Sequence, residues 1–258
     1  MHSLSLLEPN VQNWIEHVWE PKQLLLAWQA PDHFGNRFRW AVGEISREGD
    51  NYALRYLQGS EFESLNQGKT VPELLALGYR GYPAFDPRQI RHAQNVLPIL
   101  MRRMPPRGRA DFSDYKRLFR LPPDTSVSDF TLLGITEAKL PNDGFSLVDR
   151  LDGTAPHREL LLEVAGHRYY HSNLPRGNVV GDPVALVPEP ENKFDRNAVM
   201  VRFHGLCVGY INRLQTDTFS LWLSERRVTG VVERVNGNPQ RPRLFIFVRV
   251  VPRLSVSA

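Results

Sequence analysis

A single cysteine, Cys207, stands in 258 residues. It cannot form an internal disulfide, and it rules out a zinc site built from several cysteines. Its setting, Gly205-Leu206-Cys207-Val208-Gly209, is that of a small thiol in an apolar core. Long apolar runs are also missing. Stretches such as Leu24–Trp28 and Leu244–Val248 are far too short to cross a bilayer. The first residues have no basic stretch followed by an apolar core and a cleavage site, which predicts a cytoplasmic protein with no membrane association.

Familiar catalytic signatures are lacking too. Gly68-Lys69-Thr70 ends like a phosphate-binding loop, but Glu63 occupies the position of the required upstream glycine. There is no Gly-x-Ser-x-Gly elbow. His167 and His171 are four residues apart, yet His-Arg-Tyr-Tyr-His reads as extended and no third ligand lies nearby, so no metal is expected. Asp195 and Asn197 alone are a thin basis for a two-metal centre. The expectation is a binding protein with no cofactor and no enzymatic activity.

What is present is an ordinary globular composition, 41% hydrophobic and 23% charged, so the chain can bury real cores. The net charge of +4 is unevenly spread. Residues 1–149 hold 17 Lys/Arg against 18 Asp/Glu, and residues 150–258 hold 15 against 10. The positive excess lies in the C-terminal part, which fits either an anionic partner or a solvated basic surface.

Val11, Trp14, Ile15, Val18 and Trp19 recur at helical spacing, so residues 1–22 read as an arm with a helix over 9–19. Residues 23–149 mix strand-like segments (Gln23–Gln29, Phe38–Ile45, Asn51–Leu57, Phe145–Val148) with helical ones (Leu74–Leu77, Asn95–Arg103, Asp111–Leu121, Asp129–Ile135), a small α+β module. Arg102, Arg103, Arg107, Arg109, Lys116, Arg117 and Arg120 form either a nucleic-acid path or a solvated helix face. Residues 150–157 are turn-rich and read as a linker. From 158 to 258, short β-branched segments separated by Gly, Pro, Asn and Asp, with one helix near 213–223, predict a small β-barrel.

The densest constellation follows Gly166-His167-Arg168-Tyr169-Tyr170. It is the stretch Val184–Gln215, where two strands flank a polar loop, Glu189–Asn197. Tyr169 and Phe194 can support a base, and Arg168 and Arg213 can meet phosphates. Asp195 would repel a phosphate but can accept a hydrogen bond from a hydroxyl or a base edge. The alternative is a plain turn, with Asp and Asn bonding their own backbone and the aromatics filling a core.

The run Glu189-Pro190-Glu191-Asn192-Lys193-Phe194-Asp195-Arg196-Asn197-Ala198, followed by Val208-Gly209-Tyr210-Ile211, resembles the HIRAN domain over roughly Glu159–Pro252. The resemblance implies an OB- or SH3-like barrel that grips the 3′ end of single-stranded DNA. By motif, Arg168 and Tyr169 match the early Arg-Tyr pair, and Asn192, Phe194 and Asp195 match the loop, with Asp195 toward the 3′-hydroxyl. Tyr210 and Arg213 match the basic positions after the second strand. Phe194 stands for a tyrosine, Tyr210 for a histidine and Lys193 for a proline.

Residues 24–148 resemble the N-terminal subdomain of HipA-type toxin kinases. Val42-Gly43-Glu44-Ile45, Tyr52–Tyr56, Gly81-Tyr82-Pro83-Ala84-Phe85, Asn95–Pro105 and Phe130–Ile135 follow one another in that order. Such a subdomain without its kinase implies a protein partner. Two functions are therefore carried forward. One is single-stranded DNA binding beside a protein-recruiting module. The other is a regulatory subunit of a toxin–antitoxin or defence system without DNA-end binding.

Overall fold

The computed structural model describes residues 12–35, 37–141 and 143–253. They form two antiparallel sheets with six helices, a mixed α+β structure. The first sheet has the order β4-β3-β2-β1-β5. Its strands are β1 (Gln23–Gln29), β2 (Arg39–Glu48), β3 (Asn51–Tyr56), β4 (Arg91–His92) and β5 (Phe145–Val148). Leu24–Ala27 are wholly buried, which explains their unbroken apolar run: β1 is an inner strand covered on both faces. Gly49, at φ +64°, helps close the two-residue turn between β2 and β3.

The helices α1 (Gly59–Leu65), α2 (Val71–Ala76), α3 (Val96–Met101), α4 (Phe112–Leu118) and α5 (Asp129–Thr136) follow in the connections of this sheet. The sequence pattern missed α1, whose single buried residue is Phe62. Much of the basic group between Arg102 and Arg120 is engaged within the protein. Arg103 is buried against Asp143 and the Ala138 and Phe145 carbonyls, and Lys116 donates to the Pro123 and Thr125 carbonyls. Arg107, Arg109 and Arg117 each pair with a nearby aspartate.

The second sheet has the order β6-β11-β10-β7-β8-β9. Its strands are β6 (Arg158–Glu163), β7 (Pro183–Pro188), β8 (Val199–Phe203), β9 (Leu206–Tyr210), β10 (Arg226–Asn238) and β11 (Arg241–Pro252). The helix α6 (Thr216–Glu225) buries Phe219 and Trp222 against it. The structure is not the expected barrel: no closed barrel is found among the described residues. The sheet instead curls until its edge strand β9 meets the chain just beyond β6, where Ala165 and Tyr210 exchange two backbone hydrogen bonds in an isolated bridge. Gly209 permits that approach, because at φ +136° a Cβ would lie 2.5 Å from Val164 Cγ1 and 2.6 Å from the Ala165 oxygen.

The sheets do not hang apart on a linker. Leu214 and Phe247, from the second half of the chain, join the apolar core of the first. In the turn-rich 150–157 segment Ala155 is buried, and Gly153 accepts a hydrogen bond from Trp222 of α6. The expected helix over 9–19 falls partly outside the described residues, and over residues 12–22 the chain is not helical. Tertiary partners satisfy this segment instead: the Ile15 N–H donates to Arg120 O, the His17 N–H to Glu159 and the Asn13 amide to Glu233. Among the described residues no helix is long and apolar enough to cross a membrane.

Candidate nucleic-acid interface

Between the two sheets runs a cleft of about 1540 Å³, larger than a pocket shaped for one small ligand. All seven residues singled out in the sequence line it: Arg168, Tyr169, Asn192, Phe194, Asp195, Tyr210 and Arg213. They lie 45 positions apart or less in the chain, but they reach the cleft in three structural settings.

The first is a 3₁₀ turn, His167–Tyr169, entered through Gly166 at φ +71°. His167 is buried, its Nδ1 is 2.8 Å from the Val208 carbonyl, and burial pushes its imidazole pKa down. A neutral ring with its proton on Nδ1 donates to that carbonyl and ties the turn to β9. The histidine therefore has a structural task, and no group of three or more metal-ligating side chains occurs among the described residues. The turn projects Arg168 and Tyr169 into the cleft. The Arg168 guanidinium lies 4.6 Å over the Tyr169 ring and donates to its hydroxyl, leaving Tyr169 62% exposed.

The second setting is the β7–β8 loop. Asn192 is its organiser: its Oδ1 accepts from the backbone N–H of Phe194 (2.9 Å) and Asp195 (3.1 Å), and its Nδ2 donates to Glu189 (2.7 Å). The Glu189 N–H donates to Ala198 O and the Ala198 N–H to Asp195 O, closing the loop base. A loop that satisfies its own backbone in this way leaves its apolar side chain no interior to enter. Phe194 is 89% exposed. Asp195 accepts from the Asn197 N–H through Oδ1, and its Oδ2 has no hydrogen-bond partner among the described residues. The turn chemistry read from the sequence is thus present, while the aromatic does not fill a core.

The third setting is the end of β9 and the segment beyond it. Tyr210 is partly buried, edge-on to Tyr170 at 5.9 Å between ring centres, and desolvation raises its phenol pKa well above the ordinary value. Arg213 departs from the expected phosphate contact. Its guanidinium donates to the Arg39 carbonyl at 2.8 Å and to the Leu65 carbonyl, and it stacks over Phe38 at 4.3 Å. Burial lowers its pKa to about 10, so it stays charged at neutral pH, but its hydrogen bonds clamp one sheet to the other.

The opposite wall belongs to the N-terminal half, and sequence reasoning missed it entirely. Asp32, Arg37, Phe38 and Arg39 line it beside Lys139. Nothing local marks these residues, since each reaches the cleft only through the packing of the two sheets. Deeper in the seam, Lys139 bridges Glu137 (2.6 Å) and Glu163 (3.0 Å), and Arg243 binds Glu163 at 2.7 Å. Lys139 and Arg243 hold the Glu163 carboxyl below the usual carboxylate range against the opposing effect of burial.

The HIRAN domain family matches residues 158–254 of this chain. Similar solved structures include the HIRAN domain of human HLTF, 23% identical, covering 37% of this chain and 77% of that one with a TM-score of 0.30. A protein from Lactobacillus plantarum is 24% identical and covers 38% of this chain and 99% of that one, with a TM-score of 0.29. Comparison with curated proteins found no match. The HipA-type resemblance of residues 24–148 rests on its sequence motifs alone.

Proposed function

We propose that this protein binds single-stranded nucleic acid, with DNA as the preferred strand, in the cleft between its two sheets. The HIRAN match over residues 158–254 is the premise. The observation that carries the proposal is Phe194, 89% exposed on a loop whose turn Asn192 holds, facing the same cleft as the exposed Tyr169. An isolated exposed apolar side chain is common, but two exposed rings on one cleft, one of them carrying a guanidinium, form a stacking platform with a phosphate contact beside it.

Asp195 sets the finer preference. With one carboxylate oxygen engaged by the Asn197 N–H, the other is left to accept a hydrogen bond from a strand's terminal hydroxyl. A phosphate in that place would meet like charge. The cleft is thus assigned to binding an exposed 3′ end, without chemistry on it, and the N-terminal half to forming the facing wall and recruiting a protein.

The test is fluorescence anisotropy of the whole chain with a short single-stranded DNA ending in a 3′-hydroxyl or a 3′-phosphate. The hydroxyl end is expected to bind about 10-fold tighter, the scale of one hydrogen bond to a charged group. Equal affinities would remove end recognition while keeping strand binding. No binding at low salt, where phosphate contacts are strongest, would favour the protein-partner function instead.

A further inference from the structure

Three arginines from distant parts of the chain converge on one aspartate at the cleft mouth. Arg37 pairs with Asp32 Oδ1, Arg241 with Asp32 Oδ2 at 2.5 Å, and Arg168 approaches Oδ1 at 3.7 Å. Arg37 precedes β2, Arg168 sits on the 3₁₀ turn beside Tyr169, and Arg241 opens β11. All four residues line the cleft, and none is fully buried.

Three guanidinium groups around a single carboxylate leave two positive charges uncompensated by it. The arrangement is stoichiometrically wrong for a simple ion pair and right for an oxyanion with more acceptor sites. A carboxylate offers two oxygens, and those of Asp32 are already taken by Arg37 and Arg241, with the Arg168 guanidinium held 3.7 Å away. A phosphodiester brings two non-bridging oxygens and further ester oxygens to the same forks, with the geometry that arginine matches in bidentate fashion.

We infer that Arg37, Arg168 and Arg241 form a phosphate subsite for the bound strand, in which the Asp32 carboxylate is the resident anion that an incoming phosphodiester displaces. The inference rests on the strand-binding cleft proposed above, and it adds a specific role for the N-terminal half: that half supplies both a phosphate ligand, Arg37, and the competing anion. Because Arg168 also carries Tyr169 on its guanidinium face, the subsite joins directly to the stacking platform. Asp32 moderates affinity, since every strand that enters must compete with an anion tethered in place.

The prediction has two opposite signs. Asp32→Asn keeps the side chain's size and removes the competitor, so the affinity of the whole chain for single-stranded DNA should rise roughly 3- to 10-fold. Arg37→Gln with Arg241→Gln should weaken binding and reduce the slope of log affinity against log salt by about 0.7 for each phosphate that the protein no longer neutralises. Thermal melts of each variant, unchanged from the parent, establish that the fold is intact. If Asp32→Asn binds no tighter and the arginine pair leaves the salt slope unchanged, while Phe194→Ala still weakens binding, the subsite is refuted and the cleft proposal survives. If the unaltered chain binds no strand at low salt, the cleft proposal fails and the subsite fails with it.

Discussion

Arg213 illustrates how residue type and residue role separate. Its place after β9 and its charge both suggested a phosphate contact, yet its guanidinium is engaged by the Arg39 and Leu65 carbonyls and the Phe38 ring. Replacing it with methionine keeps apolar bulk over Phe38 but leaves two carbonyls without their donor. The expected cost is about 1–3 kcal/mol of unfolding free energy, measured by urea titration, with the salt slope of strand binding unchanged. Parent-like stability with a smaller slope would return Arg213 to phosphate binding. Asn192 was legible for a different reason. Its short amide bonds the backbone two and three residues on, a local interaction that sequence spacing encodes. Phe194 was legible only as an ambiguity, because an aromatic in a loop reads equally as core or as contact until its surroundings are seen.

At the scale of elements, β9 and the turn after Gly166 work as one device. The bridge between Ala165 and Tyr210 fixes the turn, the buried His167 ties it to Val208, and both depend on the absence of a side chain at position 209. Gly209→Ala would drive a methyl group against the Ala165 carbonyl in a backbone conformation that alanine avoids. We expect it to destabilise the fold by about 2 kcal/mol or more, read as a lowered melting temperature, and to weaken strand binding through displacement of Tyr169. An unchanged melting temperature would mean that β9 and residue 165 are not held together as described. The strands themselves were legible because β-branched runs punctuated by Gly, Pro and Asn are a local signal. The N-terminal arm was misread for the complementary reason. Apolar residues at helical spacing describe a face, but the backbone of residues 12–22 finds its partners across the molecule, at Arg120 and Glu159, so no helix is needed.

Across the whole molecule, the interactions that join the two sheets link residues far apart in sequence. Arg120 meets Glu233 across 113 positions, Arg213 meets Arg39 across 174, and Arg241 meets Asp32 across 209. No window of sequence contains both members of such a pair, which is why the HIRAN-like wall was foreseen and the facing wall was not. The same seam sets part of the C-terminal positive excess against an acid of the N-terminal half: Arg241 is met by Asp32. Mixed charge of this kind makes binding depend on local geometry more than on net charge. The measurement that tests the strand-binding cleft most directly is a comparison of the unaltered chain with Phe194→Ala by anisotropy on one short single-stranded DNA at low salt. Phe194 is almost wholly exposed, so its removal leaves the fold intact. The cleft account predicts a loss of affinity of about 1–3 kcal/mol, the worth of one stacked base. Equal binding by the two proteins would contradict it.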